Sequence, residues 1–259
     1  MIREDLSALR IERIDHIERY IATHKSVSID ELCSEFQVSK NTIRRDLKEI
    51  LSRGEFKKTY GGVCVARSRL PLPFAERFNT NSVVKCRIAQ RAAQEVKNGD
   101  IIYIDSGTTT CHIVDALADK SDVTILTHSL EVINRTVSHL GLTVIALPGM
   151  LNKKTLSFVC RKPGEFLRDC NIGKAFMSSD GITVANGATQ STSSEYEVKR
   201  AVINRSDEVF LLAEHEKFGQ VSLYTYCGLD KIDLIVTDEA PPSDFADALT
   251  NSGGKICVI

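Results

Sequence analysis

The chain of 259 residues has 33 lysine and arginine side chains against 34 aspartate and glutamate side chains, so its net charge indicates neither a nucleic-acid nor a membrane partner. No apolar run reaches the ~20 residues of a membrane span, and the start, MIREDLSALRIERIDHIERY, is too charged for a secretory signal. The charge is unevenly distributed, however. Residues 40–70 hold nine cationic and three anionic side chains, which predicts a basic segment on a mildly acidic body.

The eight cysteines are scattered, with no C-x-x-C pair and no histidine at metal-ligand spacing. This pattern argues against a zinc site and a disulfide framework, and it fits a reducing cytoplasm. We therefore expect no metal and no cofactor in a cytoplasmic protein. Cys111 falls near a predicted helix start, which could lower the pKa of its thiol, although a packed, inert cysteine is the favoured reading.

The first predicted elements are three short helices. Ile14, Ile17 and Ile21 recur at helical spacing, so residues 10–23 read as an amphipathic helix. A second helix opens at Ser28-Ile29-Asp30-Glu31, which has the S-x-x-E form of a capping box. Ser39 is then the predicted N-cap of a third helix.

The third helix has an apolar face and a cationic face, and Gly54 is predicted to end it. The segment EFKKTYGGV that follows is predicted to form a basic hairpin with its turn at Gly61-Gly62. Together these elements predict a winged helix-turn-helix, whose basic helix would enter the major groove of duplex DNA. The alternative to a DNA-binding face is an ordinary solvated charged surface. The predicted DNA-binding residues are Ser39, Lys40, Asn41, Thr42, Arg44, Arg45 and Lys48 on the helix, with Lys57 and Lys58 on the wing.

The stretch VSIDELCSEFQVSKNTIRRDLKEILSRGEFKKTYGGV resembles the N-terminal domain of the DeoR-type bacterial regulators. The matching motif is S-x-x-T-I-R-R-D-L, followed by a glycine and a basic hairpin ending in G-G. Tyr60 and Val63 replace the histidine and alanine usual in that hairpin. The resemblance implies that residues 38–57 form the DNA-binding helix-turn-helix. We assign residues 1–63 to the DNA-binding domain and residues 64–85, with two prolines and little periodicity, to a linker.

Residues 86–259 alternate between strand and helix patterns, starting with DIIYIDSG as a strand and TTTCHIVDALAD as a helix. This alternation predicts an α/β domain with a mainly parallel sheet covered on both faces. Ligands of such domains bind at the carboxyl ends of the strands.

Several predicted strand ends offer groups that suit a phosphorylated ligand. A strand ends in Asp105-Ser106-Gly107, and Thr108, Thr109 and Thr110 then open a helix whose N–H groups and hydroxyls could hold phosphate. The alternative to a phosphate site is that these threonines only cap the start of the helix. Lys153, Asp180-Gly181 and Lys217 follow other predicted strands and would converge on the same edge.

The family resemblance extends over this half of the chain, where D-x-G-T-T, P-G, D-G-I, E-x-x-x-K and K-F-G segments recur. It implies a ribose-5-phosphate isomerase-type α/β fold that senses phosphorylated sugars, and it adds Gly149 and Glu195 to the effector-binding residues. Two departures lie in the presumed site. Met150 stands where the family has a second glycine, and Glu214-His215-Glu216 replaces the usual Asp-x-Ser.

Three functions remain open at this stage. The favoured one is a homo-oligomeric transcription regulator, expected to be a repressor of a carbohydrate operon, controlled by a phosphorylated sugar and without enzymatic activity. The second is a sugar-phosphate isomerase with an accessory DNA-binding domain. By resemblance, such isomerases have a second aspartate after Asp-Gly and a glycine-rich lysine segment, which SSDGITVANGATQ lacks. The third, an architectural DNA-binding protein, would be more basic and would need no metabolite domain.

Overall fold

The structure is a computed structural model that describes residues 2–24, 26–52, 56–59, 61–65 and 72–259. The chain divides into two compact units, residues 1–69 and 70–259. Among the described helices, none is both long and apolar enough to span a membrane.

The first unit is a winged helix-turn-helix, as predicted. Its strands are all antiparallel to their neighbours and form one sheet in the order β1-β3-β2. The predicted capping box is present, because Ser28 and Glu31 each bond the other's backbone N–H. The helices are α1 (Ile2–His24), α2 (Ile29–Phe36) and α3 (Lys40–Ser52), and the strands are β1 (Ser26–Ser28), β2 (Phe56–Thr59) and β3 (Gly62–Val65). Gly54 lies outside the described residues.

Helical spacing builds the core of this unit. Ile14, Ile17 and Ile21 of α1 are buried against Ile43 and Ile50 of α3, together with apolar residues of α2 and the strands. Burial of these side chains fixes which face of α3 points inward. The opposite face is therefore left to solvent.

A buried carboxylate also joins α1 to α3. Asp46 is fully buried, and its two oxygens lie 3.3 Å from Nε of Arg10 and 2.8 Å from Nε of Arg13. A charge at this depth is tolerable because it is paired and hydrogen-bonded. Asp46 therefore helps to position α3, although the sequence pattern pointed only to its neighbours Arg44 and Arg45.

The second unit is built on a seven-stranded sheet in the order β15-β14-β12-β9-β4-β5-β6, and every neighbouring pair in it is parallel. This confirms the predicted α/β fold class. The strands of the unit are β4 (Ile101–Ile104), β5 (Val123–Thr127), β6 (Leu142–Ala146), β7 (Met150–Asn152), β8 (Ser157–Val159), β9 (Ile172–Ser178), β10 (Gly181–Thr183), β11 (Gly187–Gln190), β12 (Ser206–Leu212), β13 (Tyr224–Cys227), β14 (Leu234–Thr237) and β15 (Lys255–Val258).

Both faces of the sheet are covered, as the side-chain alternation along β9 shows. Ala175 and Met177 belong to one apolar cluster and Phe176 belongs to the other. The helices of the unit are α4 (Phe74–Asn79), α5 (Ser82–Ala93), α6 (Leu130–Thr136), α7 (Pro163–Leu167), α8 (Ser193–Ile203) and α9 (Ser243–Asn251), with 3-10 helices at Thr110–Leu117, His215–Lys217 and Leu229–Lys231.

Three features differ from the sequence-based expectation. The interval read as a linker, residues 64–85, includes the end of β3, all of α4 and the start of α5, because Phe74 and Lys85 are buried in the second unit. The helix predicted after Asp105 is a 3-10 helix. Short antiparallel pairs were also missed: β7 with β8, and β11 with both β10 and β13. Strands this short leave little periodicity in a sequence.

Candidate functional site

The helix predicted to bind DNA has a capped start and a free cationic face. Ser39 Oγ accepts a hydrogen bond from the Thr42 backbone N–H at 3.3 Å, which makes it the N-cap expected. Asn41, Arg44, Arg45 and Lys48 are exposed. Within the described residues, neither arginine makes an ion pair or hydrogen bond, so both are available to a duplex.

The remaining predicted DNA-binding residues differ in their surroundings. Lys40 pairs with Asp30 of α2 at 2.5 Å, and both side chains are largely exposed. Thr42 is half-buried and its hydroxyl lies 3.0 Å from that of Ser39, whereas Lys58 on β2 is exposed. The side chain of Lys57 lies outside the described residues.

In the second unit, a buried ion pair lies at the carboxyl end of β4. Asp105 and Lys199 are at most 1% exposed, and the lysine ammonium donates to Oδ2 of the aspartate. The same oxygen accepts from the backbone N–H and the hydroxyl of Ser178, at 2.9 and 2.6 Å, while the other oxygen, Oδ1, is buried without a partner. Asp105 is thus held by protein groups on one oxygen only.

Glu195 at the start of α8 forms the second half of this network. Its oxygens accept hydrogen bonds from Ser157 Oγ at 2.6 Å and Ser106 Oγ at 3.0 Å, and Nε2 of His128 lies 3.1 Å away. Burial alone would raise the pKa of Glu195, but the charge and hydrogen bond of His128 outweigh it, and the pKa is lowered well below its ordinary value. Tyr103 fixes the imidazole, since its hydroxyl lies 2.6 Å from Nδ1.

The Gly-Thr segment after β4 has a partly structural role that the sequence did not predict. A Cβ on Gly107 would come within 2.6 Å of the Ser178 side chain, so the glycine makes room for Ser178. Thr110 Oγ1 bonds back to the carbonyls of Asp105 and Gly107. Thr108 and Thr109 are buried beside these groups, and the first helical hydrogen bonds begin at Cys111 N–H.

The other predicted effector residues lie outside the buried Asp105–Glu195 network. Asp180 accepts a hydrogen bond from the Ser191 N–H at 2.9 Å. Gly149 and Gly181 are glycines because a Cβ would clash with backbone atoms of Val159 and Gln220. Lys153 is exposed in the turn between β7 and β8, so it does not join the buried network.

The charge of Lys217 instead acts on a second, unpredicted lysine. Lys85 of α5 is 4% exposed; its ammonium donates to the Thr80 carbonyl at 2.7 Å and lies 3.7 Å from Glu214. Burial lowers the pKa of Lys85; the Glu214 carboxylate opposes this and the Lys217 ammonium adds to it. Lys85 thus lies within the electrostatic influence of Lys217, on a helix whose Cys86 Sγ lies 3.3 Å from His112 Nδ1 of the first 3-10 helix.

The two departures from the family pattern lie in different surroundings. Met150 is 76% exposed, so its side chain faces solvent. Glu214 is buried and accepts a hydrogen bond from Asn81 at 2.9 Å. Neither side chain belongs to the Asp105–Glu195 network.

Sequence reasoning missed four members of the site: His128, Ser178, Lys199 and Lys85. Lys199 was visible only as the last residue of the E-x-x-x-K segment. His128 and Ser178 each follow or end a strand, so the strand-end rule that selected Asp105 could have selected them. Lys85 was hidden because its segment had been assigned to the linker.

Cys111 is a packed thiol. It is fully buried, and burial raises its pKa to about 12. The packed position expected for Cys111 is therefore confirmed, and its burial opposes activation of the thiol by the helix start.

His215 sits in a surface ion pair at the ends of β12 and β14. Its Nδ1 lies 2.6 Å from Asp238 Oδ2, and this hydrogen bond raises the pKa of His215. Burial would raise the pKa of Asp238, but its hydrogen bonds from His215 lower it overall. Because the histidine pKa is raised in the folded state, its stabilising effect is complete below its ordinary pKa and disappears as pH rises through the folded value.

As pH rises above the ordinary pKa of histidine, we expect the wild-type protein to lose a small amount of stability. The loss should be less than ~1 kcal/mol, because the pair is largely exposed. His215→Ala should remove that part of the pH dependence. Urea denaturation at pH 6 and pH 9 would measure the difference. An unchanged difference in the variant would show that His215 is not the group responsible.

Comparison with known proteins matches both units. The DeoR-like helix-turn-helix domain matches residues 13–69, and the DeoR C terminal sensor domain matches residues 80–239. The chain is 40% identical to the HTH-type transcriptional regulator IolR of Bacillus subtilis (strain 168), over 89% of this chain and 92% of that one. It is 29% identical to the glycerol-3-phosphate regulon repressor of Escherichia coli (strain K12), over 87% and 89%. Ribose 5-phosphate isomerase A from Methanocaldococcus jannaschii gives a TM-score of 0.40 at 15% identity, over 54% of this chain and 55% of that one.

Proposed function

The chain belongs to the DeoR family of transcriptional regulators, and from this premise we propose that it is a repressor of a carbohydrate-metabolism operon, released or retained on DNA by a phosphorylated sugar. The observation that supports DNA binding most strongly is the face of α3, where Arg44 and Arg45 are exposed and unpaired among the described residues. Such a face suits phosphate and base-edge contacts in the major groove.

The effector site that we propose lies at the carboxyl edge of the seven-stranded sheet. Lys85 and Lys217 would supply positive charge there, and Thr108 and Thr109, just before the 3-10 helix, would supply hydroxyls. The hydroxyls of Ser179 and Ser191, after β9 and β11, are buried without hydrogen-bond partners. Unsatisfied buried hydroxyls are rare, and hydroxyls of a sugar would satisfy them.

The name of one relative supports a phosphorylated ligand: it is the glycerol-3-phosphate regulon repressor of Escherichia coli. A metabolite can control DNA binding only if it binds one conformation better than the other. We propose that occupation of the strand edge changes the DNA-binding population in this way.

A homo-oligomer fits this function, because two-fold proteins match two-fold operators. β6 is an edge strand of the sheet, and residues 136–152 around it include no Lys, Arg, Asp or Glu. Leu140 is fully exposed and Ile145 is 40% exposed. Exposed edges are normally protected by charge, so we propose that a second copy covers this one in the cytoplasm. A monomer in sedimentation equilibrium at DNA-binding concentrations would contradict this.

We propose that the protein is not an isomerase. Isomerisation needs a free carboxylate base beside an acid. Here Asp105 is ion-paired with Lys199 through Oδ2, Asp180 accepts the Ser191 N–H, and no second aspartate follows Asp180-Gly181 in SSDGITVANGATQ. These contacts suit binding more than proton transfer.

A thermal-shift screen against phosphorylated sugars tests the proposal. A ligand at 100 times its Kd should stabilise the protein by ~2.7 kcal/mol, and it should not be converted to an isomer. Lys217→Ala should weaken that ligand by ~1.5–3 kcal/mol, the value of a charge-assisted hydrogen bond.

Lys231→Ala is the matched control, because Lys231 also ends a short 3-10 helix and is exposed. Equal ligand binding by the Lys217 and Lys231 variants would remove Lys217 from the site. Conversion of the stabilising ligand to an isomer at ~1 s⁻¹ or faster would instead support an isomerase function.

A further inference from the structure

Three metal-ligating side chains meet inside the second unit. Asp105, His128 and Glu195 are at most 3% exposed, and one donor atom from each lies within 4.8 Å of the others. They come from the ends of β4 and β5 and from the start of α8. No local ligand spacing connects them, which is why the sequence predicted no metal.

We propose that these three side chains form a binding site for a divalent metal ion. Glu195 Oε2 and His128 Nε2 are 3.1 Å apart, which is about the separation of two adjacent ligands with bonds of ~2.1 Å to one ion. Asp105 Oδ1 is buried without a hydrogen-bond partner. An ion coordinated by Oδ1 together with His128 and Glu195 would give this oxygen the partner that it lacks among the described groups.

The charges and the surrounding hydrogen bonds suit a cation. Asp105 and Glu195 supply two carboxylates, and the Lys199 ammonium occupies Asp105 Oδ2 and leaves Oδ1 open. The Tyr103 hydroxyl lies at His128 Nδ1, and Ser157 Oγ donates to Glu195 Oε1. Such outer contacts orient ligands in protein metal sites.

The mixed oxygen and nitrogen donors suit Mn²⁺ and Zn²⁺. Mn²⁺ is the better probe, because it has little affinity for the eight free cysteines. A second group, His215, Asp238 and Glu239, is partly exposed and has no unpartnered buried atom among the described residues. It is the matched control for surface binding.

The experiment is a Mn²⁺ titration of EDTA-treated, dialysed full-length protein, with free Mn²⁺ followed by electron paramagnetic resonance. Wild type should bind one Mn²⁺ per chain saturably, and Mn²⁺ should raise its melting temperature. His128→Gln and Glu195→Gln should weaken binding at least 10-fold, and Tyr103→Phe by ~10–100-fold. His215→Ala should bind like wild type.

Circular dichroism without metal shows whether each variant folds. If a ligand variant does not fold, wild type and Tyr103→Phe decide the question. No saturable binding by wild type below 1 mM of added metal (on the order of the weakest specific sites) overturns the proposal. Full binding by folded His128→Gln, or loss of binding in His215→Ala, would overturn it as well. The outcome is independent of whether a sugar phosphate binds.

Discussion

Replacing both Arg44 and Arg45 with alanine is expected to weaken binding to the specific operator by at least ~30-fold. Each arginine is worth ~1–3 kcal/mol if it reads a base edge, and 1.4 kcal/mol corresponds to a factor of ten. Both side chains are exposed on α3, Arg45 opposite the buried Ile43 and Leu47 and Arg44 on the flank of that cationic face. Their removal should therefore leave the fold of the first unit intact.

The measurement is a binding titration on an operator selected by the wild-type protein from random duplexes. Arg19→Ala is the control, since Arg19 is an exposed arginine of α1, outside α3. If the arginines contact only phosphate, binding to every sequence should weaken and the salt dependence should become shallower. Affinity of the double variant equal to that of Arg19→Ala would remove α3 from the interface.

Replacing Lys199 with methionine is expected to destabilise the second unit by ~3–5 kcal/mol, because the Asp105 carboxylate would remain buried without its cation. Lys199 is 1% exposed and also donates to the Ser178 carbonyl at 2.7 Å. For a unit of this size the melting temperature should fall by ~10 °C. Lys153→Met, at an exposed turn, should leave the melting temperature almost unchanged.

Removing both charges provides the internal check. In Lys199→Met combined with Asp105→Asn, no unpaired charge is buried, so part of the lost stability should return. Calorimetry of the three full-length variants measures all these differences. A loss below ~1 kcal/mol in Lys199→Met would mean that the ion pair does not stabilise the fold.

Local sequence signals predicted the first unit and the main strands well. The capping box at Ser28 depends on residues three apart, and the periodicity of α3 depends on side chains within one helix. Apolar runs such as ILT and FLL marked buried parallel strands. These features are set by neighbours in the chain and are therefore readable without a structure.

The site could be predicted only in outline. Strand-end positions pointed to Asp105, but its partners Ser178 and Lys199 are 73 and 94 residues away. Glu195 likewise meets His128 from 67 residues away. Only the order of strands in the sheet brings these residues together, and no local pattern encodes that order.

The most direct test of the proposed function is fluorescence anisotropy of the selected operator, titrated with protein in the presence and absence of the sugar phosphate that stabilises it most. A regulator of this kind should show operator affinity that changes with ligand by ~5–150-fold in wild type, the usual range of coupling between two sites. Lys217→Ala should bind the operator normally without ligand and respond less. A ligand that stabilises the protein but leaves operator affinity unchanged would contradict the account.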